Sequence, residues 1–238
     1  MITVTQEKNL IEDNLVITSE FINRVTLEID NNDTKKLKLL LKSLHPADLA
    51  DLIETLSEDY RRSIVISLGN EFPSETLPSM NVPVLIGIID VLEIDLLIKM
   101  ITELDTDDAT YVIEICEDAL RKNILSKIPK ESQKIINQAL NYDEESAGRL
   151  MQTDYVSVPI SWNIGQVIDY LRESHRIPDE FYALFAVDSR HIPIGTVPLH
   201  RAMREKRETQ ITDVMTKDPK IIKVNALKEH IAFLFDQY

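Results

Sequence analysis

The chain has 238 residues, of which 44% are hydrophobic and 28% are charged, so its length allows one or two globular domains with substantial cores. It carries 26 Lys and Arg against 40 Asp and Glu, and the net charge of −14 repels nucleic acid and anionic lipid while it attracts cations. The five glycines form neither a dinucleotide-binding fingerprint nor a phosphate-binding P-loop, which excludes those two classes of nucleotide enzyme.

The N-terminal segment and the cysteine content favour a soluble chain in a reducing compartment. MITVTQEKNLIEDNL has no basic segment followed by an apolar core, so it does not predict a signal peptide. The single cysteine, Cys116, cannot form an internal disulfide, and we expect a buried, inert thiol. The longest apolar stretch, residues 82–97, is interrupted by acidic residues and falls short of the roughly 18 continuous residues of a membrane span.

From about residue 19 to residue 140, apolar residues recur at intervals of three and four, which predicts a series of short amphipathic helices. One apolar stripe runs from Leu49 to Leu56, with acidic residues in its first turn, where they favour the helix dipole. A further helix is predicted to begin after Ser57, because serine is a favourable N-cap residue.

The helical half contains an internal repeat at an offset of 60 residues. LHPADLADLIETLSEDYRRSIVISL, from Leu44, aligns with LDTDDATYVIEICEDALRKNILSKI, from Leu104, and places Arg61 opposite Arg121. Repeated helical hairpins predict an all-α superhelical domain whose units bury their apolar faces on their neighbours. Any two amphipathic helices are alike to some degree, but matched turns and matched basic positions favour a repeat.

After Tyr142 the pattern changes to a mixture of strands and helices. YVSVPI, FYALFAV and IPIGTV are strand-length runs of β-branched and aromatic residues, and they alternate with the helical segments IGQVIDYLRES and PLHRAMREK. A second repeat, at an offset of 64, aligns LMQTDYVSV with VMTKDPKII. Its second copy stops at Tyr238 after a strand and one helix, so we expect the chain to be a fragment of a longer protein.

Three segments together carry a resemblance to a known family: LHPADLADLIETL at 44–56, ELDTDDATYVI at 103–113 and YDEESAGRLMQTDYVSV at 142–158. Over about residues 20–238 the chain resembles the cytosolic region of the MgtE family of bacterial magnesium channels. The resemblance implies an α+β multidomain fold, in which an all-α superhelical N domain precedes a mixed α/β domain of the CBS (cystathionine β-synthase) type. The implied boundaries are an N-terminal extension at 1–18, the N domain at 19–141, a first CBS motif at 142–205 and an incomplete second motif at 206–238.

The resemblance implies a regulatory function rather than an enzyme activity. In that family the cytosolic region is a homodimer formed through the CBS motifs, and bound Mg²⁺ between its domains holds the pore closed. A connecting helix and a membrane pore follow in the family, so they are the expected partners at the cytoplasmic face of the bacterial inner membrane. Carboxylates that face one another across a mobile interface repel, and divalent ions convert that repulsion into bridges.

The resemblance also implies which positions bind Mg²⁺. They are Asp107 and Glu75 in the N domain, Gly148 or Arg149 through a backbone carbonyl in the SAGRLM turn, and Glu229 and Asp236 in the second CBS motif. Where the family often has a second Asp four residues after the first, this chain has Tyr111. One ligand between the domains is therefore lost or moved.

Structural explanations stay open for these positions. Residues 105–108 are acidic residues at a helix start, where carboxylates favour the helix dipole whether or not a metal binds. Glu75 also suits a solvated helix start, and Gly148 suits a turn that requires a positive φ. The resemblance favours the ligand interpretation over these explanations for Asp107 only.

Two other functions stay open as alternatives. An adenine-nucleotide-sensing CBS protein would use a G-h-h-[ST]-x-x-D strand, but here Pro198 replaces the hydroxyl residue and Arg201 replaces the Asp, which argues against nucleotide binding by this half. The helical half also resembles flagellar motor switch proteins, which suggests a protein-interaction scaffold. The five histidines form no H-E-x-x-H motif, and no other enzyme motif occurs.

Overall fold

In the computed structural model, which describes residues 17–174, 177–178 and 180–236, the chain divides after Leu140 into two units. The first unit is helical, and the second is built on a mixed β-sheet with helices. The predicted fold class, an all-α domain followed by a mixed α/β domain, is therefore confirmed. No helix in the described ranges combines the length and the apolar character that crossing a membrane requires.

The described part of the helical unit contains nine α-helices and two short 3₁₀-helices. They are α1 (Ser19–Asp30), α2 (Thr34–Leu41), α3 (Pro46–Thr55), α4 (Glu58–Leu68), the 3₁₀-helices Gly69–Glu71 and Ser74–Thr76, α5 (Val82–Val91), α6 (Ile94–Glu103), α7 (Thr106–Ile115), α8 (Asp118–Lys127) and α9 (Lys130–Leu140). Short polar side chains start several of them, because the side-chain oxygens of Thr18, Asp33 and Asn81 accept hydrogen bonds from the backbone N–H three residues on.

The repeat at an offset of 60 is visible in the helix boundaries. Helix α3 begins at Pro46 and α7 begins at Thr106, and α4 and α8 begin at Glu58 and Asp118. Ser57 lies at the N-cap of α4, as the sequence predicts, although its side chain makes no capping hydrogen bond. The matched starts indicate that the same helical hairpin occurs twice in this unit.

The helices of the first unit share one apolar core, to which each contributes one face. Among the most deeply buried side chains are Leu37, Leu52, Ile64, Leu85, Met100 and Ile113, which come from six different helices. The three- and four-residue spacing of apolar positions produces this arrangement, because it places them on one side of each helix. Cys116 is also buried in this core, and burial raises the pKa of its thiol to about 11.

The second unit is organised around a four-stranded sheet in the order β1, β2, β3, β4. The strands are β1 (Val156–Pro159), β2 (Ala183–Val187), β3 (Pro193–Pro198) and β4 (Thr216–Lys217), and the helices are α10 (Ile164–Glu173), α11 (Leu199–Ala202), α12 (Ile211–Val214) and α13 (Lys228–Asp236). Strand β2 pairs in parallel with β1 and antiparallel with β3, and β3 pairs antiparallel with β4. The inward residues of α10 pack against the sheet in one apolar cluster.

The repeat at an offset of 64 is only partly expressed in the second unit. Helix α13 occupies the position equivalent to α10, but residues 220–223, the equivalents of β1, are not in a strand. Strand β1 pairs with β2, which follows α10, whereas the described residues contain no strand after α13. Residues 220–223 therefore lack, in the described part of the chain, a later strand of the kind that β2 provides for β1.

The residues before α13 pair instead with the segment 145–148, which we call the entry segment. The backbone N–H of Ala147 donates to the carbonyl oxygen of Ala226 (2.7 Å), and that of Gly148 donates to Val224 (2.8 Å). In return, the N–H of Lys228 donates to the carbonyl oxygen of Glu145 (2.8 Å). The entry segment is thus joined by backbone hydrogen bonds to the start of α13.

Candidate metal-binding site

An acidic cluster forms where the first turn of α7 approaches the 3₁₀-helix 74–76. We define the acidic cluster as Glu75, Asp105, Asp107 and Asp108. Asp105 is the N-cap residue of α7 and the two other aspartates lie in its first turn, whereas Glu75 belongs to the 3₁₀-helix. The sequence predicted Glu75 and Asp107 as ligands 32 positions apart, and the fold brings both near Asp108.

The pKa of Asp108 responds to the other three carboxylates of the acidic cluster. Burial raises the pKa of the Asp108 carboxyl, and the negative charges of Asp107, Asp105 and Glu75 raise it further. Each of these three groups therefore opposes the ionisation of Asp108. A cation placed among them would relieve this repulsion.

Asp107 has the property that a ligand position requires. Its Oδ1 is buried and has no hydrogen-bond partner among the described residues. Burying a carboxylate oxygen without a partner costs free energy, and a bound cation compensates such a group directly. Among the sequence-predicted positions whose side chains the structure describes, Asp107 is the one at which a carboxylate oxygen is left buried and unpartnered.

The donor set of the acidic cluster fits Mg²⁺ by its chemistry, although it does not form a closed cage. All four side chains offer oxygen, the ligand atom that Mg²⁺ prefers. Within the described ranges, no three His, Cys, Asp or Glu side chains are gathered closely enough to enclose a metal. Mg²⁺ commonly binds through one or two carboxylates and keeps several waters, so this arrangement suits it better than it suits an ion that needs a full protein shell.

A partly buried hydrogen bond holds the 3₁₀-helix that carries Glu75. The hydroxyl of Ser74 donates to Glu103 Oε2 at 2.8 Å, which fixes the 3₁₀-helix to the end of α6. Next to Glu75, Thr76 is fully buried and its hydroxyl has no partner within the described part of the chain. Neither residue was predicted from the sequence, because nothing in the FPSETLPSM segment indicates which polar side chains turn inward.

Tyr111, which stands where the family often has an aspartate, serves the core instead. Its side chain is partly buried and packs against the apolar cluster of the helical unit. Tyr111 therefore brings no carboxylate oxygen to this position. The substitution therefore exchanges a possible ligand for packing.

In the second unit, Gly148 is the last residue of the entry segment, where its N–H donates to the carbonyl oxygen of Val224, and Arg149 follows it. The expectation that Gly148 adopts a positive φ is wrong, because among the described glycines only Gly69 does so. A Cβ at position 148 would lie 2.6 Å from the Tyr142 ring, so the space taken by that ring requires glycine here. The Arg149 side chain donates to the carbonyl oxygen of Tyr142 (2.8 Å), which leaves a backbone carbonyl as the group that could reach an ion.

The two candidates in the second CBS motif lie on α13. Glu229 is exposed in the first turn of this helix. Its neighbour Lys228 forms an ion pair with Glu145 (2.6 Å), and that carboxylate raises the pKa of Lys228. Asp236 is the last residue of α13, and its side chain lies outside the described part of the structure.

The strand that would hold a nucleotide is β3 together with the start of α11. Gly195 lies in β3, where a Cβ would come within 2.7 Å of the Thr216 carbonyl oxygen in β4. Pro198 ends β3, and Arg201 is exposed on α11. The glycine is therefore explained by the close approach of β4, without reference to a ligand.

Comparison with known proteins finds relatives that match most of the chain. Residues 44–145 match the family model of the MgtE intracellular N domain. The magnesium transporter MgtE of Bacillus subtilis (strain 168) is 19% identical over 221 residues, which are 92% of this chain and 49% of the transporter. The chain thus spans about half the length of the curated relatives it matches.

Two solved structures have the same fold. A crystal structure of the cytosolic domain of the Mg²⁺ channel MgtE in complex with ATP superposes with a TM-score of 0.80 at 21% identity, covering 91% of this chain and 89% of that one. A crystal structure of the soluble part of a magnesium transporter gives a TM-score of 0.73 at 18% identity, with 92% and 86% covered. The resemblance noted in the sequence is confirmed, and the related proteins are transporters rather than enzymes.

Proposed function

We propose that the chain is the cytosolic regulatory region of an MgtE-type magnesium transporter, because residues 44–145 match the model of the MgtE intracellular N domain and the chain has the fold of a solved MgtE cytosolic domain. In this proposal Mg²⁺ is the regulatory ligand of the chain. Its pore and its connecting helix belong to other parts of the full-length protein, and the region lies at the cytoplasmic face of the membrane.

The observation that carries the proposal is the buried, unpartnered Oδ1 of Asp107 in the acidic cluster. Without a cation, this oxygen stays unsatisfied and the cluster's carboxylates repel one another. Mg²⁺ bound at Asp107 and Glu75 would remove both penalties, and its remaining coordination positions would accept oxygens from elsewhere. The backbone carbonyl of Gly148 or Arg149 is the proposed source of one of those oxygens. Glu229 and the carbonyl near Asp236 are proposed separately, as ion-binding positions within the CBS motifs.

Bound Mg²⁺ thereby favours the state in which the N domain and the CBS domain are bridged, which is the state that closes the pore. The ion can shift this equilibrium only by its differential affinity for the bridged state. A change from mostly open to mostly bridged requires about 5.5 kcal/mol, which several weak sites acting together supply more readily than one. We also propose that the region acts as a homodimer through its CBS motifs.

Limited trypsin digestion tests the proposal directly. The chain is digested over a range of MgCl₂ up to about 20 mM, with NaCl adjusted to keep the ionic strength constant, and cleavage after Arg149, the basic residue of segment 141–149, is followed. The expected result is protection that rises cooperatively with Mg²⁺ and that matched NaCl does not produce. Cleavage that does not respond to Mg²⁺ would contradict the proposal and favour a protein-interaction scaffold.

A pair of matched variants separates metal binding from the general charge effect. Asp107→Ala removes the proposed ligand at the second residue of α7, and Glu131→Ala removes an exposed carboxylate at the second residue of α9. We expect Asp107→Ala to abolish the Mg²⁺-dependent protection and Glu131→Ala to keep it. Equal responses in the two variants would mean that the ion acts through overall charge.

A parallel digestion with ATP addresses the nucleotide-sensing alternative. One related structure is a complex with ATP, but Pro198 and Arg201 stand here where the nucleotide-binding strand has a hydroxyl residue and an aspartate. We therefore expect no saturable protection by ATP in the absence of Mg²⁺. Saturable protection by ATP alone would favour a nucleotide sensor.

A further inference from the structure

Helix α5 is apolar on every side although only one side of it is covered. Its sequence, VPVLIGIIDV, contains no charged residue before Asp90. The inward face is buried, but Val82 and Ile86 on the outer face keep 43% and 45% of their surface exposed. A helix that is hydrophobic all round is normally buried all round. The outer face of α5 therefore lacks the cover that its composition indicates.

Gly87 lies in the middle of this outer face without an internal reason to be glycine. Its φ is not in the left-handed region, and a Cβ at this position would meet no atom within 4 Å. Glycine in a helix interior costs about 1 kcal/mol relative to alanine. The missing side chain leaves room on a groove of about 230 Å³ between α4 and α5, whose apolar lining includes Pro83, Ile86 and Gly87.

The rim of the groove carries a net positive charge in a strongly acidic unit. Residues 1–140 contain 14 basic and 25 acidic residues, yet Arg61, Arg62 and Glu58 are the charged residues that line the groove. The guanidinium of Arg61 already donates to the carbonyl oxygens of Ile53 and Glu54. Arg62 is exposed, so it is the cation that can face a carboxylate on an incoming partner.

We propose that the groove between α4 and α5 binds one amphipathic helix of another protein, whose apolar face covers Val82, Ile86 and Gly87 and which places a carboxylate opposite Arg62. The absence of a side chain at Gly87 lets the two backbones approach closely. This inference is independent of Mg²⁺ binding, because the groove uses no residue of the acidic cluster.

The size of the face argues for a single helix rather than a second copy of the chain. Ten residues of α-helix are about 15 Å long, and a stable dimer buries about 800 Å² per partner. A strip of this length cannot supply that area, whereas it suits a peptide helix lying in a groove, which uses a few anchors spaced by three or four residues.

Fluorescence anisotropy with a defined probe tests the proposal. The probe is a fluorescein-labelled helical peptide of about 18 residues with Leu and Ala on one face and Glu beside that face; one control peptide has Lys in place of Glu, and another has the same composition scrambled. We expect saturable binding of the Glu peptide, and binding about tenfold weaker for both controls. Equal affinity for all three peptides, or no binding of the Glu peptide, would overturn the proposal.

Variants of the chain identify the surface that binds. Gly87→Leu fills the open space, so it should fold normally, as circular dichroism and urea unfolding will show, while the Glu peptide binds about tenfold more weakly. Arg62→Glu should reverse the preference in favour of the Lys peptide, and Lys122→Glu, an exposed charge change on α8, should have no effect. Unchanged binding by Gly87→Leu would refute the groove, and a concentration-dependent dimer that Gly87→Leu abolishes would replace the peptide helix with a second copy.

Discussion

Arg61 and Arg121, which are 60 residues apart, make the same hydrogen bonds in the two copies of the helical hairpin. The Nε atoms donate to the carbonyl oxygens of Ile53 (2.9 Å) and Ile113 (3.1 Å), and the Nη2 atoms donate to Glu54 (3.0 Å) and Glu114 (2.6 Å). Each guanidinium therefore donates to carbonyl groups in the last turn of the preceding helix, where the regular helical hydrogen bonds run out. In each hairpin, the arginine thus joins the second helix to the end of the first.

Replacing this arginine should destabilise the helical unit. Arg121 also donates to the carbonyl oxygen of Cys116 (3.0 Å), and hydrogen bonds from a charged group contribute about 1.5–3 kcal/mol. We expect Arg121→Ala to lower the free energy of unfolding by about that amount in urea titrations. Arg121→Lys should restore little of this stability, because one ammonium group cannot reach all the carbonyl oxygens that the planar guanidinium contacts. Lys122→Ala, at the exposed neighbouring position, is the control and should be nearly neutral.

Alanine should have opposite effects at two of the glycines. At Gly148 the new Cβ would lie 2.6 Å from the Tyr142 ring, so we expect Gly148→Ala to destabilise the second unit by about 1–3 kcal/mol. At Gly87 the Cβ meets nothing within 4 Å, so Gly87→Ala should stabilise α5 by up to about 1 kcal/mol. Thermal unfolding of both variants checks the contrast, and a destabilised Gly87→Ala would show that this glycine is packed internally.

The stability of the helical unit should depend on pH through Asp108. Burial, followed by the charges of Asp107, Asp105 and Glu75, raises the pKa of this carboxyl above its ordinary 3.8, so the folded chain holds the proton more tightly than the unfolded chain. Its contribution to stability is complete below pH 3.8 and is lost as the pH rises through the raised value. In EDTA at pH 7, Asp108→Asn should therefore unfold at a higher temperature than the wild type. This difference should disappear below pH 3.8, where Asp108 of the wild type is protonated. An advantage that is the same at both pH values would contradict the assignment.

The thiol of Cys116 should be unreactive in the folded chain. It is buried, its Sγ lies 3.3 Å from the carbonyl oxygen of Val112, and its pKa is raised to about 11, so very little thiolate forms at pH 8. We expect a thiol-specific reagent to label it fully in denaturant and to label the native chain only as fast as it unfolds. Rapid labelling of the native chain would contradict the burial.

The sequence predicted the fold well where the spacing of apolar residues agreed with the residues that start and end helices and strands. The three- and four-residue spacing predicted the helices of the first unit, and the β-branched runs after Tyr142 became β1, β2 and β3. The segment PLHRAMREK was expected to be helical throughout, but its helix α11 ends at Ala202. Helix α10 shows clearer local signals, because Asn163 and Gln166 form a capping box at its start.

The candidate site was predictable only in part, because its geometry depends on long-range packing. Asp107 and Glu75 came from a family resemblance, while the contribution of Asp108 became visible only when burial and neighbouring charges were known. The reason for Gly148 was also hidden, since no local pattern indicates that the Tyr142 ring fills the place of its Cβ. The ligand roles of all six positions stay predictions: Asp107, Glu75, Gly148, Arg149, Glu229 and Asp236.

The pairing of the entry segment with the residues before α13 defines a mechanical path through the second unit. Backbone hydrogen bonds link residues 145–148 to residues 224–228, and the Glu145 to Lys228 ion pair lies beside them. A force applied to α13 would therefore act on the entry segment through these bonds as well as along the covalent chain. Tension on the last described helix is in this way passed to residues 145–148, near the start of the second unit.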